Sequence, residues 1–212
     1  DDDGADALLR EAGLSAAEFI AVTTRLTRRG GRTSVAAGHY ATYATNFARM
    51  LEAVVAATGL RILFLSQVPR DADDPPEVEK LINAHARAAC VHTPHITSPG
   101  LLRSLYARST VTLGMRFHSL IFAASVGTPV YGVHFEDISH KVQGLMTDLE
   151  LDAYQCHAGE MDPDESAERV AELVRERDEF SRRILARIDT RRQNTVDTLR
   201  TALSSCSSTG MQ

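Results

Sequence analysis

Three places in this 212-residue chain set cations or a histidine directly behind short apolar runs. Arg25 follows Phe19-Ile20-Ala21-Val22-Thr23-Thr24. Arg116 and His118 sit in Met115-Arg116-Phe117-His118-Ser119, behind Thr110–Gly114. Lys141 stands at the end of Phe135-Glu136-Asp137-Ile138-Ser139-His140-Lys141, behind Pro129–His134. The chemistry open to such a set is anion binding coupled to proton transfer. An arginine offers a planar fork that pairs with carboxylate or phosphate through two hydrogen bonds, and a lysine acts as a movable point charge. A histidine moves a proton near neutral pH. Ser119 and its neighbours open a helix, whose free N–H groups suit a phosphate. His134, Glu136 and His140 are weaker candidates, and His39 reads as a helix cap or surface group.

The elements that must position these residues follow from the apolar pattern. Phe19–Thr24, Arg61–Ser66, Cys90–His92, Thr110–Gly114, Pro129–His134 and Ala153–Cys156 are short and mostly apolar, as buried strands are. Between them lie amphipathic helices. One runs from His39 to Thr58 and stops at Gly59. Others are expected over Glu77–Ala89, Ser98–Arg108 with Pro99 in its first turn, Ser119–Val126 and Ser139–Leu149. Strands alternating with helices specify an α/β fold, a Rossmann-like parallel sheet with helices on both faces. Ligands of such sheets bind beyond the carboxyl ends of the strands, where Arg25, Arg116, His118 and Lys141 fall. Residues 1–160 are expected to form this domain and 161–203 one long C-terminal helix, with 204–212 a disordered tail.

Composition narrows the function classes. With 23 Lys+Arg against 28 Asp+Glu, the net charge is −5 and the pI near 5.9. Without a block of basic residues, that argues against a nucleic-acid or membrane-surface partner. No apolar run approaches the roughly 18 residues of a membrane span. Cys90, Cys156 and Cys206 are an odd, widely spaced set with no CxxC, which reads as unpaired thiols in a reducing, cytoplasmic setting. His92-Thr93-Pro94-His95 carries a proline between its histidines, and no carboxylates are spaced as a ligand set, so no metal is expected.

The stretch Leu101–Val130, with Gly114-Met115-Arg116-Phe117-His118 and Gly127-Thr128-Pro129-Val130, resembles the C-terminal half of the polysaccharide pyruvyl transferase family, as do the following Phe135–Lys141 and Gly144-Leu145-Met146. The family shows a G-x-R-x-H turn, an apolar helix, G-x-P-V, then an aromatic residue shortly before a lysine. This sequence departs from it with Phe117 where leucine is commoner and Ser119 where a smaller residue is usual. The resemblance implies one half of a glycosyltransferase-B-like fold. It implies a transferase that moves pyruvate from phosphoenolpyruvate onto a sugar hydroxyl pair as a ketal, with no cofactor beyond that donor substrate. Arg25, Arg116, His118, Ser119 and Lys141 would bind the donor, with Arg116 and His118 catalytic; Arg28 and Arg29 compete with Arg25 for its role. The partners implied are a small-molecule donor and a saccharide acceptor. An N-terminal acceptor half is expected outside this chain, whose first methionine is Met50, so the piece alone is expected to be inactive. Two rivals stand beside this reading. One is a sugar-nucleotide glycosyltransferase, with Glu136 or Asp137 on a ribose; the other is a non-catalytic binding module.

Overall fold

Phe19–Thr23 is buried along its whole length, as a strand must be when helices cover both faces of its sheet. In the computed structural model, which describes residues 1–25, 40–67, 74–135 and 139–209, it forms β1 at the centre of a six-stranded sheet. The other strands are β2 (Arg61–Phe64), β3 (Cys90–His92), β4 (Val111–Gly114), β5 (Val130–His134) and β6 (Gln155–His157). Their order is β3-β2-β1-β4-β5-β6, and every pairing is parallel. The chain therefore winds outward from β1 to one edge, returns to β4, and winds outward to the other. This is a Rossmann-like parallel sheet.

The helices are α1 (Asp2–Glu11), α2 (Tyr40–Thr58), α3 (Asp74–Leu81), α4 (Ala84–Ala88), α5 (Pro99–Arg108), α6 (Phe117–Ser125), α7 (Ser139–Asp148), α8 (Pro163–Arg175) and α9 (Arg177–Thr209). Local chemistry sets several boundaries. Ser98 caps α5 by accepting from the Leu101 N–H at 3.2 Å, with Pro99 in the first turn. Asp162 caps α8 by accepting from the N–H groups of Asp164 and Glu165 at 2.9 and 3.0 Å. Gly59 ends α2 at φ +67°, a conformation that costs glycine little. The core runs through Phe19, Phe47, Leu51, Ile62, Leu63, Leu113, Leu120, Val133 and Val170.

Three expectations from sequence need correction. The helix anticipated over Glu77–Ala89 is two, because the Asn83 side chain accepts from the Ala86 N–H at 3.0 Å and starts α4 afresh. The single long helix anticipated over 161–203 is also two. The chain leaves helical geometry at Glu176 (φ −105°, ψ 23°), and the new direction sends Phe180 and Ile184 into the core, where Phe180 meets the Tyr154 ring at 4.9 Å. Residues 204–209, anticipated as tail, are helical. Hydroxyl groups bonding back one turn, such as Ser204 Oγ to the Arg200 carbonyl at 2.7 Å, and the Arg200–Asp197 pair at 3.1 Å accompany that extension.

Candidate functional site

β1 and β4 lie side by side with Thr23 opposite Gly114, yet their following segments lead to opposite halves of the sheet. A crevice opens where those directions diverge, the usual ligand position in such sheets. Arg25 and Arg116 stand on its two sides, each two residues past its strand. The turns that carry them are tied together. The Met115 N–H donates to the Thr23 carbonyl at 3.0 Å, and the Arg25 N–H reaches the Met115 sulfur at 3.4 Å.

Arg116 is the N-cap of α6 in an extended conformation (φ −112°, ψ 126°), so its side chain departs before the helix begins. The turn is held from beneath by Ser119. The Ser119 hydroxyl donates to the Arg116 carbonyl at 2.5 Å and accepts from the Thr23 hydroxyl at 2.7 Å. Its N–H also bonds the Arg116 carbonyl, at 3.1 Å. Ser119, expected to bind the donor, is fully buried at 0% exposure and holds the Arg116 turn from within. Gly114 completes the arrangement. A Cβ there would lie 2.5 Å from Leu120 Cδ2 and 3.0 Å from Ser119 Oγ, so only glycine lets α6 approach β4 this closely.

Above this turn lies a cleft of about 210 Å³. Arg25, Arg116, His118 and Lys141 all line it, joined by His134 at the end of β5. Met115, Phe117, Phe135 and Val142 supply apolar walls. Four residues singled out from sequence thus share one cavity, although more than 110 positions separate Arg25 from Lys141. The volume is below the roughly 300–1,000 Å³ of sites for drug-sized molecules, which favours a small ligand. His140 is exposed on α7 and does not line the cleft. Arg28, Arg29, Arg32, His39, Glu136 and Asp137 lie outside the described residues. His92 is held elsewhere, bonded to Glu79 at 2.7 Å and stacked on Phe64. Among the described residues, no group of three or more His, Cys, Asp or Glu is placed to hold a metal ion.

His134, a weaker candidate from sequence, lines the cleft, and His157 beside it carries no signal there. His134 is 7% exposed, and its ring lies 5.7 Å from that of His157, its partner across the β5–β6 pairing. Burial, then the charge of His157, holds the His134 pKa below its ordinary 6.5; Glu160 opposes them. In sequence, His134 closes the expected strand Pro129–His134, while His157 falls just beyond Ala153–Cys156; the structure places it at the end of β6. A stability consequence follows. Below pH 6.5 the unfolded chain binds a proton at this position that the folded chain resists, so stability falls as pH drops from 6.5 through the folded value. Urea unfolding at descending pH is expected to show a steeper loss for the native chain than for His134→Gln; equal slopes would contradict it.

The sequence profile of a family described as "Polysaccharide pyruvyl transferase" matches residues 26–134, just over half the chain and inclusive of Arg116 and His118. No curated protein sequence matches. Among solved structures, E. coli ADP-heptose lipopolysaccharide heptosyltransferase II is similar at 11% identity and a TM-score of 0.58, over 84% of this chain and 53% of that one. The N-terminal domain of Candida albicans trehalose-6-phosphate phosphatase is similar at 13% identity and a TM-score of 0.55, over 89% and 42%. The O-GlcNAc transferase of Thermobaculum terrenum (a K341M mutant) is similar at 15% identity and a TM-score of 0.53, over 88% and 37%. At such identities the likeness concerns the fold alone. This chain spans about half, or less, of the length of those proteins.

Proposed function

The chain belongs to the polysaccharide pyruvyl transferase family, and from that premise we propose that its cleft binds phosphoenolpyruvate. The whole protein then transfers the pyruvyl group to two hydroxyls of a sugar in a cell-surface or exopolysaccharide, in the cytoplasm, forming a ketal. The observation that carries this reading is the convergence of Arg25, Arg116 and Lys141, from three separate strand ends, on one small cleft that His118 also lines.

Phosphoenolpyruvate presents a carboxylate and a phosphate on a three-carbon frame, and each anion needs a cationic partner once water is displaced. Arg25 and Arg116 hold the carboxylate and the phosphate. Lys141, reaching from α7, offsets charge on the phosphate as it leaves. The first sugar hydroxyl forms a C–O bond at C2 while His118 delivers a proton to C3, turning the methylene into a methyl group. The C2–O bond to phosphate then breaks, and the second hydroxyl closes the ketal on C2. Of the two hydroxyl protons released, one restores His118 and the other leaves on phosphate.

A sugar-nucleotide transferase is the second reading, favoured by the fold that this chain shares with a heptosyltransferase. Calorimetric titration of the chain with phosphoenolpyruvate, and in parallel with ADP- and UDP-sugars, separates the two. Saturable binding of phosphoenolpyruvate with none of the nucleotide sugars is the expected result; the opposite pattern overturns the proposal. With the whole protein, phosphate release from phosphoenolpyruvate that depends on added saccharide is the corresponding activity.

A further inference from the structure

His134 is the one buried titratable side chain among the described residues of the cleft, and the mechanism above does not use it. It is more than nine-tenths buried, it lines the same cleft as the three cations, and its Nδ1 has no hydrogen-bond partner among the described residues. Across the β5–β6 pairing, His157 Nε2 is likewise buried without a partner among the described residues, while its Nδ1 accepts from the Gly159 N–H at 3.2 Å. A buried polar nitrogen without a partner is unfavourable, and a polar group brought into the cleft can relieve that.

Resting on the reading of this cleft as a donor site, we propose that His134 is a further ligand-binding residue, which takes up a proton when a dianion enters and then donates a hydrogen bond to it.

The charges around the ring support this. Facing it are Arg25 after β1, Arg116 and His118 at the start of α6, Lys141 on α7, His157 on β6 and Glu160 beyond β6. Glu160 alone among these is anionic. Burial, and after it the charge of His157, favours the neutral imidazole. A phosphate-bearing ligand reverses the sign of the field from the cleft and supplies acceptor oxygens. Protonation turns both ring nitrogens into donors, so whichever faces the ligand can donate to it. Linkage is reciprocal: if the ligand raises the proton affinity of His134, the proton raises ligand affinity by the same factor.

The test is calorimetric titration of the chain at about pH 7, the range in which histidine titrates, in buffers of different ionisation enthalpy. Phosphoenolpyruvate is one probe; sulfate, a dianion that does not itself titrate there, is the other. Uptake approaching about one proton per ligand is expected, with affinity falling up to about tenfold per pH unit above the liganded pKa. His134→Gln is expected to lose this uptake with both probes. Should that variant fail to fold, histidine ring NMR of the native chain reads the same quantity as a rise in the His134 pKa on adding sulfate. Binding without uptake, uptake that survives His134→Gln, or an unmoved His134 titration would overturn the inference while leaving the donor site standing. If phosphoenolpyruvate does not bind the native chain at all, the donor-site reading falls, and this inference with it.

Discussion

Arg116→Lys is expected to weaken phosphoenolpyruvate binding by roughly 30- to 150-fold, about 2–3 kcal/mol, while changing stability by less than about 1 kcal/mol. The two effects separate because of where Arg116 sits. Its backbone is fixed by Ser119 and by the start of α6, whereas its side chain departs at the N-cap into the cleft. A lysine keeps the charge and the backbone but loses the planar pair of donors that matches a carboxylate or phosphate edge. Calorimetric titration and denaturant unfolding on the same preparations check both halves. Unchanged affinity would remove Arg116 from the donor contacts. A collapse of stability would assign it a structural role.

A second substitution acts on the same turn from the other direction. Gly114→Val is expected to lower stability by about 3 kcal/mol, or roughly 6–12 °C in Tm, and to weaken phosphoenolpyruvate binding at least about tenfold. The added Cβ would meet Leu120 at 2.5 and 2.8 Å, far inside the roughly 3.5–4.0 Å of carbon–carbon contact. Leu120 is fully buried and has nowhere to swing. The start of α6 must therefore move outward, taking Arg116 and His118 with it. Gly144→Ala is the control. That glycine is exposed on α7 with no atom within 4 Å of the added Cβ, so alanine there should be neutral or stabilising by up to about 1 kcal/mol. If Gly114→Val bound donor and unfolded like the native chain, the close approach of α6 to β4 would not be what holds the site.

These two residues show why part of the site was legible in sequence. A parallel sheet buries both faces, so its strands stand out as apolar runs, and its ligands lie at the strand ends. Arg25, Arg116, His118 and Lys141 were found by looking immediately behind those runs. The inward turn of the Ser119 hydroxyl does not follow from such a pattern. A residue at a helix start can turn its hydroxyl outward or inward, and the choice here depends on Thr23, 96 positions away in sequence. The break at Glu176 was hidden because both helices carry apolar residues at helical spacing, and only packing of Phe180 against Tyr154 reveals the change of direction.

Local pattern alone thus determined the strands, most of the helices, the α/β class and the cations at the strand ends, because burial and hydrogen bonding impose those periods on any chain. The tertiary structure decided the sheet order, which sets Arg25 beside Arg116, and the depth of α6 against β4, which Gly114 permits. It also decided the pairing of His134 with His157 at the cleft. Those depend on which distant segments share a surface, and on whether a polar atom ends in water or beside a neighbour, and neither is written in the spacing of residues along one strand.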